Sequence, residues 1–312
     1  MEPGWALPSV RIEALGPAGI TLAGNGTYRG TVEVRRNGGA VAVVNHLALE
    51  DYVRGIDEVP PSWPAAALQA QAIAARTYAA NTALSGDARW QAVGADICAT
   101  STCQVYRGLD AEARAEGLGW LPAVEATAGR ALLAGGRPIR ASYSSTANGP
   151  LAMSQNGALA MANEGRTAGD ILQTYYGVRP TLAPDRLPAG IRVALATSAA
   201  SARISSAGGL LRIVDAAGVE LARSAGEWRF VAGGRGIQVF PPASWTSAST
   251  AAPAPLPAVP PVPDQPQPGP VLAVTPPRRA PVWPAVGVGL AALVGAGAAS
   301  VAVCRRRRAV AG

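Results

Sequence analysis

Residues 50–78 read Glu-Asp-Tyr-Val-Arg-Gly-Ile-Asp-Glu-Val-Pro-Pro-Ser-Trp-Pro-Ala-Ala-Ala-Leu-Gln-Ala-Gln-Ala-Ile-Ala-Ala-Arg-Thr-Tyr. A proline-framed loop here runs straight into an alanine-rich helix. Ser62 is placed as N-cap and Trp63 and Pro64 fill the first turn, where a missing N–H costs nothing; the helix continues to about Leu84. Glu58 is thereby fixed in a loop against Val59, Pro60, Pro61 and Trp63. On the helix, Gln69, Ala72 and Arg76 share one face, and Leu68, Ala72, Ala75 and Ala79 form a small-residue face beside it. A solvated polar stripe is the ordinary reading of Gln69 and Arg76.

Outward from this stretch, the N-terminal side is β-rich. Thr31 to Arg36 and Ala40 to Val44 flank Asn37-Gly38-Gly39, a strong hairpin signal. His46, the one histidine of the chain, lies in a strand-like run and reads as a strand or turn residue. On the C-terminal side, Asp96 to Gly108 is a loop closing on Tyr106, followed by a short helix from about Pro122 and a hairpin of Ala131 to Leu133 with Pro138 to Tyr143. Helices are expected from Ser154 to Glu164, stopped by Gly165, and from Thr167 to Gly177. Residues 187–243 carry short alternating segments separated by glycine turns, which predicts a small all-β module.

Prolines crowd residues 244–281, where large apolar side chains are scarce; this reads as a spacer on the order of 100 Å if extended. Val282 to Val303 is uncharged, about 33 Å long as a helix, and predicts a transmembrane segment over 282–304. Arg305 to Arg308 open a basic tail, 305–312, whose sign places the C-terminus in the cytoplasm and the folded domains outside, on a single-pass protein of the cell membrane with the lipid bilayer as partner. Residues 1–10 show no charged start followed by an apolar run, so a secretory signal is expected upstream. The fold class predicted is thus α+β: a mixed β-rich domain with a central Ala-rich helix over residues 1–180, then the all-β module, the Pro-rich stalk and the transmembrane helix.

The net charge of +7 comes from arginine, the chain having no lysine. Arginines alternate with acids through the folded part and no nucleic-acid reader motif occurs, so no nucleic-acid partner is expected. Three cysteines are too few for a disulfide framework.

Leu49-Glu-Asp-Tyr-Val-Arg-Gly, Glu58-Val-Pro-x-Ser-Trp-Pro, Ala67-Leu-x-Ala-Gln-Ala-Ile-Ala-Ala-Arg-Thr-Tyr, Cys103-Gln-Val-Tyr-Arg-Gly, Tyr143-Ser-Ser, Met153-Ser-Gln and Ile171-Leu-x-x-Tyr-Tyr-Gly together resemble the SpoIID/LytB family over roughly residues 27–179. That family includes sporulation lytic transglycosylases and amidase enhancers. The resemblance implies a peptidoglycan lytic transglycosylase acting on denuded glycan strands, with Glu58 as acid/base and Gln69, Arg76, Tyr106, Ser144 and Ser145 as substrate contacts. Its other branch implies a non-catalytic peptidoglycan-binding protein or an amidase enhancer, with a cell-wall amidase as partner. No cofactor is implied. Where zinc-holding members carry a His before the second Cys, Thr102 stands here, so the resemblance implies a Cys98–Cys103 disulfide and no metal. The segment that separates the Tyr143-Ser-Ser and Met153-Ser-Gln motifs in the family is shortened after residue 149, where Asn148 to Ala152 join them directly.

Overall fold

The computed structural model describes residues 6–147, 149, 151–234, 236–243 and 245. The Asn37-Gly38-Gly39 turn does join two strands, Thr31–Asn37 and Ala40–Ala48, in antiparallel register with Val34 opposite Val43. They lie at the heart of a seven-stranded sheet. Its order is Glu220–Ser224, Leu210–Asp215, Ser9–Leu15, Thr31–Asn37, Ala40–Ala48, Gly190–Ala199 and Ile97–Cys98. A six-stranded sheet runs Ala6–Leu7, Ile237–Phe240, Trp228–Ala232, Ser201–Ser205, Ile20–Leu22 and Gly26–Tyr28. Alternation along the strands sends Val10, Ile12, Val32, Val34, Val41 and Val43 from the first sheet and Ile204, Trp228 and Phe230 from the second into one buried cluster.

Both sheets draw strands from the two ends of the chain. The segments expected as a separate all-β module over 187–243 are therefore shared out. Gly190–Ala199 pairs with Ala40–Ala48, Leu210–Asp215 with Ser9–Leu15, and Ser201–Ser205 with Ile20–Leu22. Short apolar strands announce themselves in sequence, but their partners are chosen by the faces they bury, and here those partners lie about 150–200 residues away.

Seven helices are described: α1 (Leu49–Arg54), α2 (Ala65–Ser85), α3 (Ala88–Gln91), α4 (Leu109–Ala115), α5 (Trp120–Ala126), α6 (Gln155–Asn163) and α7 (Ala168–Tyr176). The long helix begins later than expected. Ser62 does not cap it; Pro64 holds the N-cap position in an extended conformation, φ −53° and ψ 141°, with no side-chain cap. The Trp63-Pro64 bond explains this, because a residue before proline is pushed out of the helical region. Thr167 does cap α7, in a reciprocal box with Asp170, and Gly177 ends it in the left-handed conformation.

Helix α2 is buried from Ala67 to Ala80 except at Gln69 and Tyr78. Leu68, Ala72, Ala75 and Ala79 pack with Tyr52, Val53, Trp120 and Val124, while Ala70, Ile73 and Ala74 pack with Leu132, Met153, Ile171 and Leu172. An alanine surface lets α1, α5, α6 and α7 approach from several sides, which is how a helix without a wide apolar stripe comes to be central.

Correction is needed at the C-terminal end. No helix among the described residues is long and apolar enough to cross a membrane. The expected transmembrane helix over 282–304, like the spacer over 244–281 (residue 245 excepted) and the tail over 305–312, lies outside the described residues. What the structure supports is an α+β domain of several helices and sheets; a membrane anchor, a bilayer partner and a single-pass topology are not supported.

Candidate active site

The loop after α1 is fastened to the loop before α4 by backbone pairing. Asp57 N–H donates to the Val105 carbonyl at 2.9 Å, Arg107 N–H donates to the Gly55 carbonyl at 2.8 Å, and Ile56 and Tyr106 form an antiparallel bridge. Two glycines permit this approach. A Cβ on Gly55 would lie 2.7 Å from the Gly108 Cα, and one on Gly108, at φ +58°, would lie 2.5 Å from the Thr27 carbonyl oxygen. No larger residue fits either position without moving backbone.

The two acids of this loop turn to different sides. Asp57 faces outward, paired with Arg107 at 3.2 Å and Arg114 at 2.6 Å. Glu58 turns inward and is half-buried. Its Oε1 accepts the Val105 N–H at 2.6 Å. Burial is the main influence on this carboxyl and raises its pKa above the ordinary value; the Val105 N–H, and then Gln155, oppose that rise, and the Asp57 charge adds to it. Gln155 Nε2 is itself buried without a completed hydrogen bond to a described atom.

Beside Glu58 lies a row of buried polar groups. Tyr52 donates its hydroxyl to Gln104 Oε1 at 2.8 Å, and Gln104 Nε2 contacts the Tyr143 hydroxyl at 2.6 Å and the Ala75 carbonyl at 3.2 Å. Burial first, and the Glu58 carboxylate after it, raise the Tyr143 phenol well above the ordinary value. Tyr143 is thus a neutral hydroxyl next to the carboxyl. These residues come from α1, the 98–108 loop, the Ser142–Ser144 strand and the start of α6, so only the folded chain brings them together.

The expected substrate contacts divide. Ser144 and Ser145 are exposed beside Tyr143; Ser144 pairs in parallel with Ser154, and the Ser145 carbonyl accepts the Asn156 N–H at 3.2 Å. Gln69 is half-buried near the start of α2. Tyr106 is 3% exposed, stacks between Tyr28 and Tyr52, and donates its hydroxyl to Asn45 at 3.0 Å. Arg76 is fully buried and forks onto Glu50 at 2.7 and 2.8 Å, with further bonds to the Arg130 and Val124 carbonyls. Arg76 offers no surface to a glycan in this conformation, and Tyr106 offers only a small edge to the groove of about 370 Å³ that it lines; each ties elements of the core together. Tyr52, Gln104, Tyr143 and Gln155 were not singled out by sequence reasoning, although all four stand inside the matching motifs.

Cys98 and Cys103 are joined by a disulfide. Among the described residues no cluster of three His, Cys, Asp or Glu side chains is placed to hold a metal. The bond closes a small ring on the edge strand Ile97–Cys98, directly before Gln104 and Val105. Replacing both cysteines by alanine is expected to cost about 2 kcal/mol, the chain-entropy value for so short a loop, read as a lower urea midpoint. A midpoint equal to that of the unaltered protein would show that the ring is held without the bond. At the direct join of the two motifs, Leu151 adopts φ 58° with half its surface exposed, a conformation that costs a non-glycine residue about 1–2 kcal/mol.

Comparison with known proteins places similarity on this same part of the chain. Residues 37–133 match the family described as SpoIID, stage II sporulation protein. An uncharacterized protein of Brachyspira hyodysenteriae is 40% identical over 92 residues, which is 29% of this chain and 24% of that protein. Stage II sporulation protein D of Bacillus subtilis is 33% identical over 117 residues, 34% of each chain. The chain thus spans about a quarter and a third of the length of these two curated relatives. Through residues 37–133, which carry the Glu58 loop, α2 and the disulfide ring, the chain matches the SpoIID family at the family level.

Proposed function

We propose that this domain cleaves peptidoglycan glycan strands by lytic transglycosylation, with Glu58 as the single acid/base. The observation that carries the reading is the Glu58 carboxyl itself, inward, desolvated and raised in pKa, while its neighbour Asp57 is drawn outward by two arginines. Glycosidases of the two-carboxylate kind pair an acid with a nucleophile or base. One carboxyl suffices where the sugar's own 6-hydroxyl captures the cationic centre. Glu58 then protonates the leaving glycosidic oxygen as that bond breaks, and afterwards takes the proton of the 6-hydroxyl as the new C1–O6 bond forms. A raised pKa keeps the acid protonated closer to neutral pH. The family match is consistent with this activity.

The test is incubation of the protein with denuded glycan strands and mass spectrometry of the products. Anhydro-muramyl ends are expected, and strands recovered at full length would sink the reading. The rate is expected to fall as pH rises through the Glu58 pKa, with its midpoint above the ordinary glutamate value because burial raises that pKa. A midpoint at or below the ordinary value would remove Glu58 as the acid.

One observation favours the alternative of a non-catalytic wall-binding protein or amidase enhancer. The two grooves flanking the disulfide ring, about 300 and 370 Å³, are lined by other residues than Glu58. In that case strands are retained uncut, and Glu58→Gln leaves stimulation of a partner amidase unchanged.

A further inference from the structure

The smaller of these grooves lies where the last turns of α2, the start of α3, the tip of the disulfide ring and Arg140 meet, with a volume of about 300 Å³. Its wall carries two arginines and one aspartate. Most described arginines are ion-paired, but neither Arg89 nor Arg140 takes part in an ion pair among the described residues. Both are exposed and both line this groove. The Arg89 guanidinium sits 4.7 Å from the centre of the Trp90 ring, so its plane is held against an aromatic face. The one carboxylate in the wall, Asp87, accepts the Arg89 backbone N–H at 2.9 Å as the cap of α3. Two guanidinium groups therefore face one committed carboxylate.

The remaining wall is chemically suited to a sugar. Tyr78 contributes aromatic surface, Trp90 being buried beneath the Arg89 guanidinium, while Asn81 and Thr102 contribute amide and hydroxyl groups. Asn81 spends one N–H on the Pro138 carbonyl at 2.9 Å and keeps its own carbonyl as an acceptor. The groove also shares a loop with Glu58. Thr102 and Cys103 line it, and the next two residues, Gln104 and Val105, reach Tyr143 and Glu58. The groove and the Glu58 carboxyl are thus joined through consecutive residues of one loop.

We infer that the groove binds a carboxylate-bearing sugar of the glycan strand, with Arg89 and Arg140 taking the carboxylate and the aromatic and amide groups taking the ring. The identity of the sugar rests on the reading of the domain as a peptidoglycan-binding enzyme. In a glycan of alternating N-acetylglucosamine and N-acetylmuramic acid, the muramyl lactyl group ends in a free carboxylate wherever no peptide is attached. Planar guanidinium groups match a carboxylate in two-point geometry, and an exposed pair of them gives selectivity more than raw affinity.

The full chain is titrated with N-acetylmuramic acid, N-acetylglucosamine and inorganic phosphate, with binding read by ligand-observed nuclear magnetic resonance. N-acetylmuramic acid is expected to bind about tenfold more tightly than N-acetylglucosamine at low salt, the gain from one or two exposed charge-assisted contacts. The double variant Arg89→Ala, Arg140→Ala, folded by circular dichroism, is expected to lose that difference, and Glu58→Gln to keep it. Equal binding of the two sugars, or a preference that survives in the double variant, overturns the inference. Phosphate competing as strongly as N-acetylmuramic acid overturns the sugar assignment, since the site is then one for any oxyanion. The two readings fail separately. A sugar preference without strand cleavage removes only the reaction proposed for Glu58, and cleavage without a preference removes only the groove.

Discussion

Glu58→Gln is expected to lower the rate of glycan-strand cleavage by roughly 10²–10⁴-fold, the contribution of a positioned general acid, and at the same time to stabilise the protein at neutral pH. The amide keeps the geometry, because a glutamine Oε1 still accepts the Val105 N–H that Glu58 accepts at 2.6 Å. What it loses is the proton. The stability effect follows from burial, which raises the Glu58 pKa in the folded state. Below the ordinary glutamate range the carboxyl is protonated both folded and unfolded, and its contribution to stability is fully present. As pH rises through the raised folded-state pKa, that contribution is lost, because an ionised carboxylate must then occupy a desolvated site. A glutamine has nothing to lose. Urea unfolding of the two proteins should therefore coincide below about pH 4 and favour the variant at pH 7. A variant that cleaves strands at the original rate excludes the acid role. One that is inactive and less stable at pH 7 shows that the substitution broke the loop instead.

Removal of Glu50 should have the largest effect on the fold. Its carboxylate holds the two-point contact to Arg76, whose side chain has no exposed surface, and also accepts the Gly129 N–H at 3.0 Å. Breaking a buried pair leaves an uncompensated charge in the core. Glu50→Ala is expected to cost about 3 kcal/mol, the low end of the range for such breaks, because the Glu50 side chain retains 40% of its surface. For a domain of this size that lowers Tm by on the order of 10 °C. Adding Arg76→Met to Glu50→Ala should restore much of the loss, since a buried pair replaced by apolar side chains is often neutral. A single variant as stable as the unaltered protein would show that Arg76 finds its compensation in the Arg130 and Val124 carbonyls alone.

These two predictions mark where sequence reasoning reached and where it stopped. Glu58 was singled out by the motif around it; which of the two neighbouring acids turns inward is shown only by the folded loop. The existence of α2 was legible from its alanine run, but its burial was not. With no broad apolar stripe to orient the helix, Arg76 reads as a surface charge until α1 and α5 are laid over it. Tyr52, Gln104, Tyr143 and Gln155 are spread over about a hundred residues of chain. Nothing local says that they meet, even though all four lie inside matching motifs. The strands from 190 to 240 were found as strands and misplaced as a module, since alternation gives the face of a strand and says nothing of its distant partner.

The shared sheets bear on how the chain must be made. The match to the SpoIID family model ends at residue 133, but the strand Ala40–Ala48 at the base of the Glu58 loop completes its pairing only with Gly190–Ala199, and the six-stranded sheet closes only with Ile237–Phe240. A segment cut at the limits of that match would carry the Glu58 loop on a strand with both edges bare, a surface prone to pairing with other chains. Contacts this far apart also fold slowly. During synthesis the strand that leads into the Glu58 loop therefore has one bare edge until residues 190–199 have emerged to pair with it.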